Sequence, residues 1–211
     1  MIEFYTSETA NGQKVALMLE ETGLAYRRHE VDLIGGGHLR PEFLAINPLG
    51  KIPTIVDPDG PGGMPLALGQ SLAIVLYLAE KSGLLLPTEH RDRALALHYM
   101  ALVASDIGAA FSGLFNCAIL PEMLGQPVQR EMRAYFTEQA HRGLAVLDQR
   151  LSASACLAGD MFSAADVLAY PIAASSVRML GSDPLANYPA INRWAAVIAY
   201  RPAALRVFTT R

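Results

Sequence analysis

The chain has 211 residues, 52% apolar and 18% charged, enough to bury a large core in one large or two small domains. A formal net charge of −3 with no block of like charges argues against nucleic acid or an anionic membrane surface as partner. There is no run of eighteen uncharged apolar residues and no Lys/Arg-led apolar leader, and Cys117 and Cys156 have neither disulfide nor metal-ligand spacing, so a cytoplasmic protein with two buried reduced thiols and no metal is expected.

In chain order, Met1 to Tyr5 reads as a strand and Thr6 to Gly12 as a loop. Val15, Met18, Leu19 and Thr22 recur at helical spacing up to Gly23, a good helix stop. Tyr26 to Asp32 reads as a second strand, so the opening is a βαβ unit whose strands are parallel. A Gly35-Gly36-Gly37 loop and a short helix over Pro41 to Ile46 follow. Ile52 to Val56 and Pro65 to Leu68 then form an antiparallel hairpin around a Pro/Gly-dense turn, and a helix opens at Ser71 and runs to Lys81. The order β-α-β-α-β-β-α predicts an α+β chain: a thioredoxin-like domain over residues 1–82, a linker over 83–90 and an all-helical domain over 91–211.

In the second domain, Arg91 to about Asn116 reads as one long apolar helix, broken by Pro121 and Gly125. Gln126 to Leu151 reads as an amphipathic helix with Met132, Tyr135, Phe136, Leu144 and Leu147 inward. Ser163 to Asp166 is a capping-box variant ahead of a helix to about Arg178, and Tyr188-Pro189 and Arg201-Pro202 start the last two helices. The stretch Leu95 to Phe111 has too few polar positions for a solvated face, which predicts a homodimer.

Three stretches of the first domain converge on one pole of such a sheet. The Thr6-to-Gly12 loop presents hydroxyls and amides at a helix N-terminus, where partial positive charge favours a thiolate; a Thr or Asn there serves equally as an ordinary helix cap. A redox thioredoxin would carry its cysteine in this loop. None is present, so a reacting thiolate would have to arrive with a ligand. Second, Pro53 precedes a strand where it costs no ladder bond, either as a cis peptide exposing Ile52 to an extended ligand or as a plain trans turn proline. Third, Gly69-Gln70-Ser71 opens a helix, with Ser71 either an N-cap or part of a carboxylate site.

The joint order of Phe4-Tyr5, Thr9-Ala10-Asn11-Gly12, Asn47-Pro48-Leu49-Gly50-Lys51-Ile52-Pro53 and Gln70-Ser71-Leu72-Ala73-Ile74 with Tyr77-Leu78 resembles the N-terminal domain of glutathione transferases. Ser163 to Asp166 and Arg201-Pro202 resemble that family's helical-domain capping box and final helix start. Within the family the chain is most similar to the bacterial Nu class, whose loop reads Thr-Pro-Asn-Gly where this chain has Ala10. Leu102 to Phe115 resembles the beta class, whose catalytic Cys has no counterpart here.

The resemblance implies glutathione as co-substrate. It implies Gln70 and Ser71 at the γ-glutamyl carboxylate, Ile52 before a cis Pro53 at the cysteinyl backbone, and Lys51 and His38 at the glycyl carboxylate, His38 being equally readable as a surface histidine. Thr9 and Asn11 become donors to the glutathione sulfur, with Tyr5 as rival donor or core residue. Asp106 either reaches glutathione in the opposite subunit or is a solvated carboxylate. Tyr5, Tyr99, Phe111, Phe115 and Met123 are expected to line a partly apolar second-substrate pocket. The implied activity is attack of the glutathione thiolate on an electrophile, with disulfide reduction or peroxidase chemistry as one alternative and a non-catalytic glutathione-binding relative as another.

Overall fold

A computed structural model of the chain describes residues 1–181 and 185–209. The chain folds into two compact units, Met1–Leu86 with the stretch from Arg201 onward, and Pro87–Tyr200. The final helix therefore belongs to the first unit, whereas the sequence pattern groups it with the helical domain; Thr210 and Arg211 of that predicted domain lie outside the described residues.

The first unit is built on a four-stranded sheet of order β2-β1-β3-β4, formed by β1 (Ile2–Thr6), β2 (Tyr26–Glu30), β3 (Thr54–Asp57) and β4 (Leu66–Gly69). β1 runs parallel to β2 and antiparallel to β3, and β3 pairs antiparallel with β4. Along β1, Ile2, Phe4 and Thr6 are buried and alternate with half-buried Glu3 and Tyr5, as a period-2 strand with one face in the core requires. Phe4 pairs with Ile55, both fully buried. Each such side chain is worth about 1.5–3 kcal/mol in burial alone.

Helices α1 (Ala10–Thr22) and α3 (Ser71–Ser82) pack against each other. They bury Val15, Leu17, Met18 and Leu19 on one side and Ile74, Val75, Leu78 and Ala79 on the other. α1 stops at Gly23, whose φ of 65° is the left-handed conformation glycine adopts without steric cost. Between β2 and β3 lie a 3₁₀ turn (Gly37–Leu39) and α2 (Pro41–Ile46).

In the second unit, α4 (His90–Met123) carries two π-helical turns, at Val103–Ile107 and Phe115–Ile119. Pro121, expected to break this helix, is accommodated in it. The wider turn just before it changes the hydrogen-bond register where the proline lacks an N–H, and the chain leaves the helix only at Gly125, with φ 65°. α5 (Arg130–Ser152) buries Ala140, Gly143, Leu144, Leu147 and Leu151. Met132 and Tyr135, expected inward, are exposed and Phe136 is half-buried, because the buried stripe of α5 begins only at Ala140.

The unit continues with α6 (Ala164–Leu180) and α7 (Pro189–Ala199), and α8 (Pro202–Thr209) returns to the first unit. There α8 packs on α1: Arg201 grips Glu21 through two bonds of 2.6 and 2.8 Å, and Arg206 pairs with Glu20. At the start of α6, Asp166 is fully buried. Its carboxylate accepts from the backbone N–H of Leu157 (3.0 Å) and Ser163 (2.9 Å), the Ser163 hydroxyl (2.9 Å) and Trp194 Nε1 (2.9 Å). The acidic half of the expected capping box is thus present, while the Ser163 hydroxyl donates to Asp166 instead of capping its N–H. Burial pushes the Asp166 carboxyl up against these four donors. Of the two thiols, Cys117 is buried and Cys156 only partly so.

Candidate active site

Strand register places the three predicted stretches at one end of the sheet. Tyr5 is opposite Thr54, and Thr54 is opposite Gly69, so the end of β1, the start of β3 and the end of β4 share that edge. The loop into α1, the Ile52-Pro53 step and the β4–α3 junction all leave from there.

Thr9 is the N-cap of α1, and its Oγ1 accepts from the Gly12 N–H at 3.0 Å. That bond uses a lone pair, so the hydroxyl proton is left to donate elsewhere: the capping and sulfur-donor readings of Thr9 are compatible. Gly12 is required by close approach, since a Cβ there would lie 2.3 Å from Thr6 Oγ1 and 2.6 Å from Ser7 O. Ala10 is the first helical residue, where the ring of a proline would contribute only a preset φ. Asn11 is exposed, and its Oδ1 accepts from Lys14 Nζ at 2.8 Å, which turns its NH₂ group away from the lysine. Lys14 itself is buried, 2% exposed, and burial pushes its ammonium down to about 8.

The segment before β3 is held by Asn47, whose importance the sequence motif did not reveal. Its Nδ2 donates to Lys51 O (2.7 Å) and Thr54 Oγ1 (2.9 Å), its Oδ1 accepts from the Leu49 N–H (3.2 Å), and the fully buried Thr54 hydroxyl donates to Lys51 O (3.0 Å). This triangle fixes the backbone immediately before Ile52. The Ile52–Pro53 peptide bond is cis, and Ile52 lies ahead of the first ladder residue of β3. Gly69 permits the arrangement, for a Cβ there would sit 2.9 Å from Asn47 Nδ2.

At the third stretch, Gln70 has φ 66° and ψ 111°, a conformation rare outside glycine. Ser71, read as an N-cap from the sequence, is instead the first helical residue, and the N-terminus of α3 has no side-chain cap. Its leading N–H groups and partial positive charge are therefore available to an anion. His38 is half-buried, not an exposed surface histidine, and its Nδ1 is buried without a partner among the described residues. Its turn lies against the loop before β3, a Cβ on Gly50 coming 3.1 Å from His38 O. Lys51 is exposed next to that turn. Among the described residues, no group of His, Cys, Asp and Glu side chains is arranged to hold a metal ion.

Family models for the glutathione S-transferase N-terminal and C-terminal domains match residues 10–81 and 110–202. The chain is 40% identical to the disulfide-bond oxidoreductase YfcG of Escherichia coli K12, over 96% of this chain and 92% of that one. The chain belongs to the glutathione transferase family. As a glutathione transferase it is an enzyme that sets the thiol of glutathione against a second substrate.

The disulfide-bond oxidoreductase YghU of E. coli is 30% identical to this transferase over 97% of the chain and 79% of its own length. Among solved structures, a glutathione transferase family member from Pseudomonas fluorescens Pf-5 with two glutathione molecules bound superposes with TM-score 0.89 at 33% identity, covering 98% of this chain and 91% of that one. A glutathione transferase from Pseudomonas putida with one glutathione disulfide per subunit has TM-score 0.88 at 32% identity, covering 99% and 91%.

The remaining expected site residues of this transferase are spread over both units. Tyr5 is half-buried, stacks on His29 (centroids 4.6 Å, 15° between planes) and meets Phe43 edge-on at 6.2 Å, so its ring is engaged in packing on the sheet. Tyr99 and Phe111 are buried in the helical unit, the former with the Arg150 guanidinium 5.8 Å from its ring centre. Phe115 and Met123 are exposed on α4. Asp106, also on α4, is exposed and accepts from the Ser105 hydroxyl.

Proposed function

We propose that the enzyme binds reduced glutathione along the sheet end described above and acts on disulfides. The γ-glutamyl carboxylate sits at the uncapped N-terminus of α3 with Gln70 and Ser71, and the cysteinyl backbone lies beside Ile52 and Pro53. Lys51 and His38 serve the glycyl carboxylate. Thr9 and Asn11 donate to the sulfur. Hydrogen bonds to the charged form lower a thiol pKa, and moving it from about 8.5 toward 7 raises the thiolate fraction severalfold at neutral pH.

The observation that carries this reading is the α1 N-terminus, where the Thr9 hydroxyl proton and the Asn11 amide are both free to donate and no protein thiol is present. The thiol proton leaves to solvent. The thiolate then attacks one sulfur of the disulfide, forming a mixed disulfide as the old S–S bond breaks, and the departing thiolate takes a proton from water. A second glutathione thiolate repeats the exchange on the mixed disulfide. Glutathione disulfide is formed, and two electrons have passed to the substrate. The names of YfcG and YghU and the two bound glutathiones of the P. fluorescens protein favour this reading over conjugation to carbon.

The test is kinetic. Glutathione-dependent reduction of a small mixed disulfide is expected to exceed conjugation to a haloaromatic, and Thr9→Val and Asn11→Ala are each expected to lower the disulfide rate about 10-fold or more, in line with loss of a positioned donor. Full activity in the Thr9→Val, Asn11→Ala double variant would end the proposal.

The same reading includes a homodimer in the cytoplasm. α4 has an 18-residue window of mean hydropathy 1.5, apolar and long enough by composition to cross a membrane, yet only 39% of that window is buried within the chain. A second subunit is the proposed cover for the remainder, and a single 22.7 kDa species in sedimentation would rule it out. The two free thiols and the demand for reduced glutathione suit a reducing compartment.

A further inference from the structure

Lys14 stands out among the side chains of α1. It is a lysine with 2% exposure, and among the described residues its ammonium has a single hydrogen-bond partner, Asn11 Oδ1 at 2.8 Å. Lysine is almost never fully buried without a paired charge, because ordinary core packing has no use for an ammonium group. Nothing in the architecture of α1 asks for it either, since the apolar positions Val15, Leu17, Met18 and Leu19 complete the core face.

The ionisable groups around α1 are occupied with one another. Glu20 bonds Arg206 and Tyr26, Glu21 holds Arg201, and Glu8 holds Arg28. On α3, Tyr77, Glu80 and Lys81 sit in the C-terminal half, with Tyr77 and Lys81 on Asp57. Burial pushes the Lys14 ammonium down.

We infer that Lys14 is a positioning residue for thiolate activation: its ammonium, bonded to Asn11 Oδ1, fixes the orientation of the Asn11 amide so that the NH₂ group faces the sulfur, and its charge polarises that donor. An unanchored asparagine amide can present either its oxygen or its nitrogen. Oxygen toward a thiolate repels it, whereas nitrogen toward it donates. A cation behind the oxygen selects the second state and polarises the N–H donor. The inference rests on the reading of Asn11 as a sulfur donor and adds what makes that donor competent.

The experiment measures the thiol pKa of enzyme-bound glutathione by ultraviolet absorption of the thiolate in the full-length protein, the Lys14→Met variant, the Asn11→Ala variant and the double variant. Lys14→Met is expected to raise the bound thiol pKa by about one unit, a loss of up to tenfold in thiolate at neutral pH, with affinity for S-methylglutathione unchanged. The double variant is expected to match Asn11→Ala, because Lys14 acts through Asn11. A raised thiol pKa in Asn11→Ala together with an unchanged one in Lys14→Met overturns this inference and leaves the site reading intact. Unchanged values in both overturn the site reading as well.

A second measurement needs no variant. The Lys14 ammonium is titrated by NMR in the wild-type protein with reduced glutathione and with S-methylglutathione, which has no ionisable sulfur. Coupling is reciprocal, so a thiolate held by Asn11 raises the Lys14 pKa and a thioether does not. Equal Lys14 titrations with the two ligands overturn the inference.

Discussion

Replacing Lys14 with methionine is expected to make the protein more stable while impairing it. Burial takes the ammonium from its ordinary 10.5 to about 8. That drop of about two and a half units corresponds, at about 1.4 kcal/mol per unit, to about 3.5 kcal/mol by which the charged lysine penalises the fold at neutral pH. The sign follows from proton counts. Between about pH 8 and about pH 10.5 the unfolded chain holds the Lys14 proton and the folded chain has released it, so stability rises with pH across that window. Below it the penalty is fully present. Methionine matches the length of the lysine stem, and the change gives up the bond to Asn11, about 1 kcal/mol. The net expectation is a gain of about 2.5 kcal/mol at pH 7, or about 5–10 °C in Tm for a chain of this size. That gain should disappear as the pH climbs past 10. Urea titrations of both proteins at pH 7, 8, 9 and 10 make the comparison. A difference that is flat with pH, or a variant weaker than the wild type at pH 7, refutes the reasoning. A stabilising change that costs thiolate formation is the signature of a side chain held against the interest of the fold.

Four other substitutions test separate joints of the structure. Asn47→Ala removes three bonds that fix the backbone before Ile52 and is expected to cost about 2 kcal/mol in stability and weaken glutathione binding, read by calorimetry. Gly12→Ala places a Cβ 2.3 Å from Thr6 Oγ1 and 2.6 Å from Ser7 O, the second a backbone atom that cannot swing away; thermal denaturation should show a loss of about 2 kcal/mol or more. Asp166→Ala strands the Leu157 and Ser163 N–H groups and Trp194 Nε1, at about 1 kcal/mol each or more, so soluble yield and Tm should both fall. Gln70→Ala changes an exposed residue while keeping the unusual backbone, so stability should move by less than about 0.5 kcal/mol while the Kd for glutathione rises.

The order of strands and helices in the first unit was legible because each element carries its own period and its own stop. Ile2, Phe4 and Thr6 alternate along β1, and Gly23 closes α1. The helical unit was less legible. Pro121 is a helix breaker in isolation, but a π-helical turn upstream gives it room, and no local signal announces a π turn. Met132 and Tyr135 fit the inward stripe of α5 by spacing, yet periodicity reports only that residues share a face; along the N-terminal half that face is only partly covered, with Phe136 against Gly113 while Met132 and Tyr135 are exposed. α8 followed the helical domain in sequence and joined the first unit in space, because Arg201 and Arg206 find Glu21 and Glu20 on α1, partners 180 and 186 residues away. In the candidate site, Thr9, Asn11, Pro53, Gln70 and Ser71 stood out from the motif. Lys14 and Asn47 did not, since a lysine in a helix and an asparagine before Pro48 are ordinary until burial and partners are known.

Two helices begin at the same end of the sheet, and their electrostatic effects add. The N-terminus of α1 follows β1, and that of α3 follows β4; the register of β3 with both strands puts these starts on one edge. Each carries partial positive charge that decays within a turn, so an extended anion with its sulfur over α1 and a carboxylate over α3 draws on both, whereas a compact anion reaches only one. The two ends are finished differently. The α1 end is capped by Thr9, which satisfies one N–H and still keeps a proton to donate, and the α3 end has no side-chain cap. Such an edge discriminates by length and by charge placement. On the proposed reading, shortening glutathione at its γ-glutamyl end should cost binding at α3 without moving the thiol pKa, while Thr9→Val should move the thiol pKa with little effect on S-methylglutathione affinity. Should both changes affect both quantities alike, the two helix ends do not serve separate parts of one ligand.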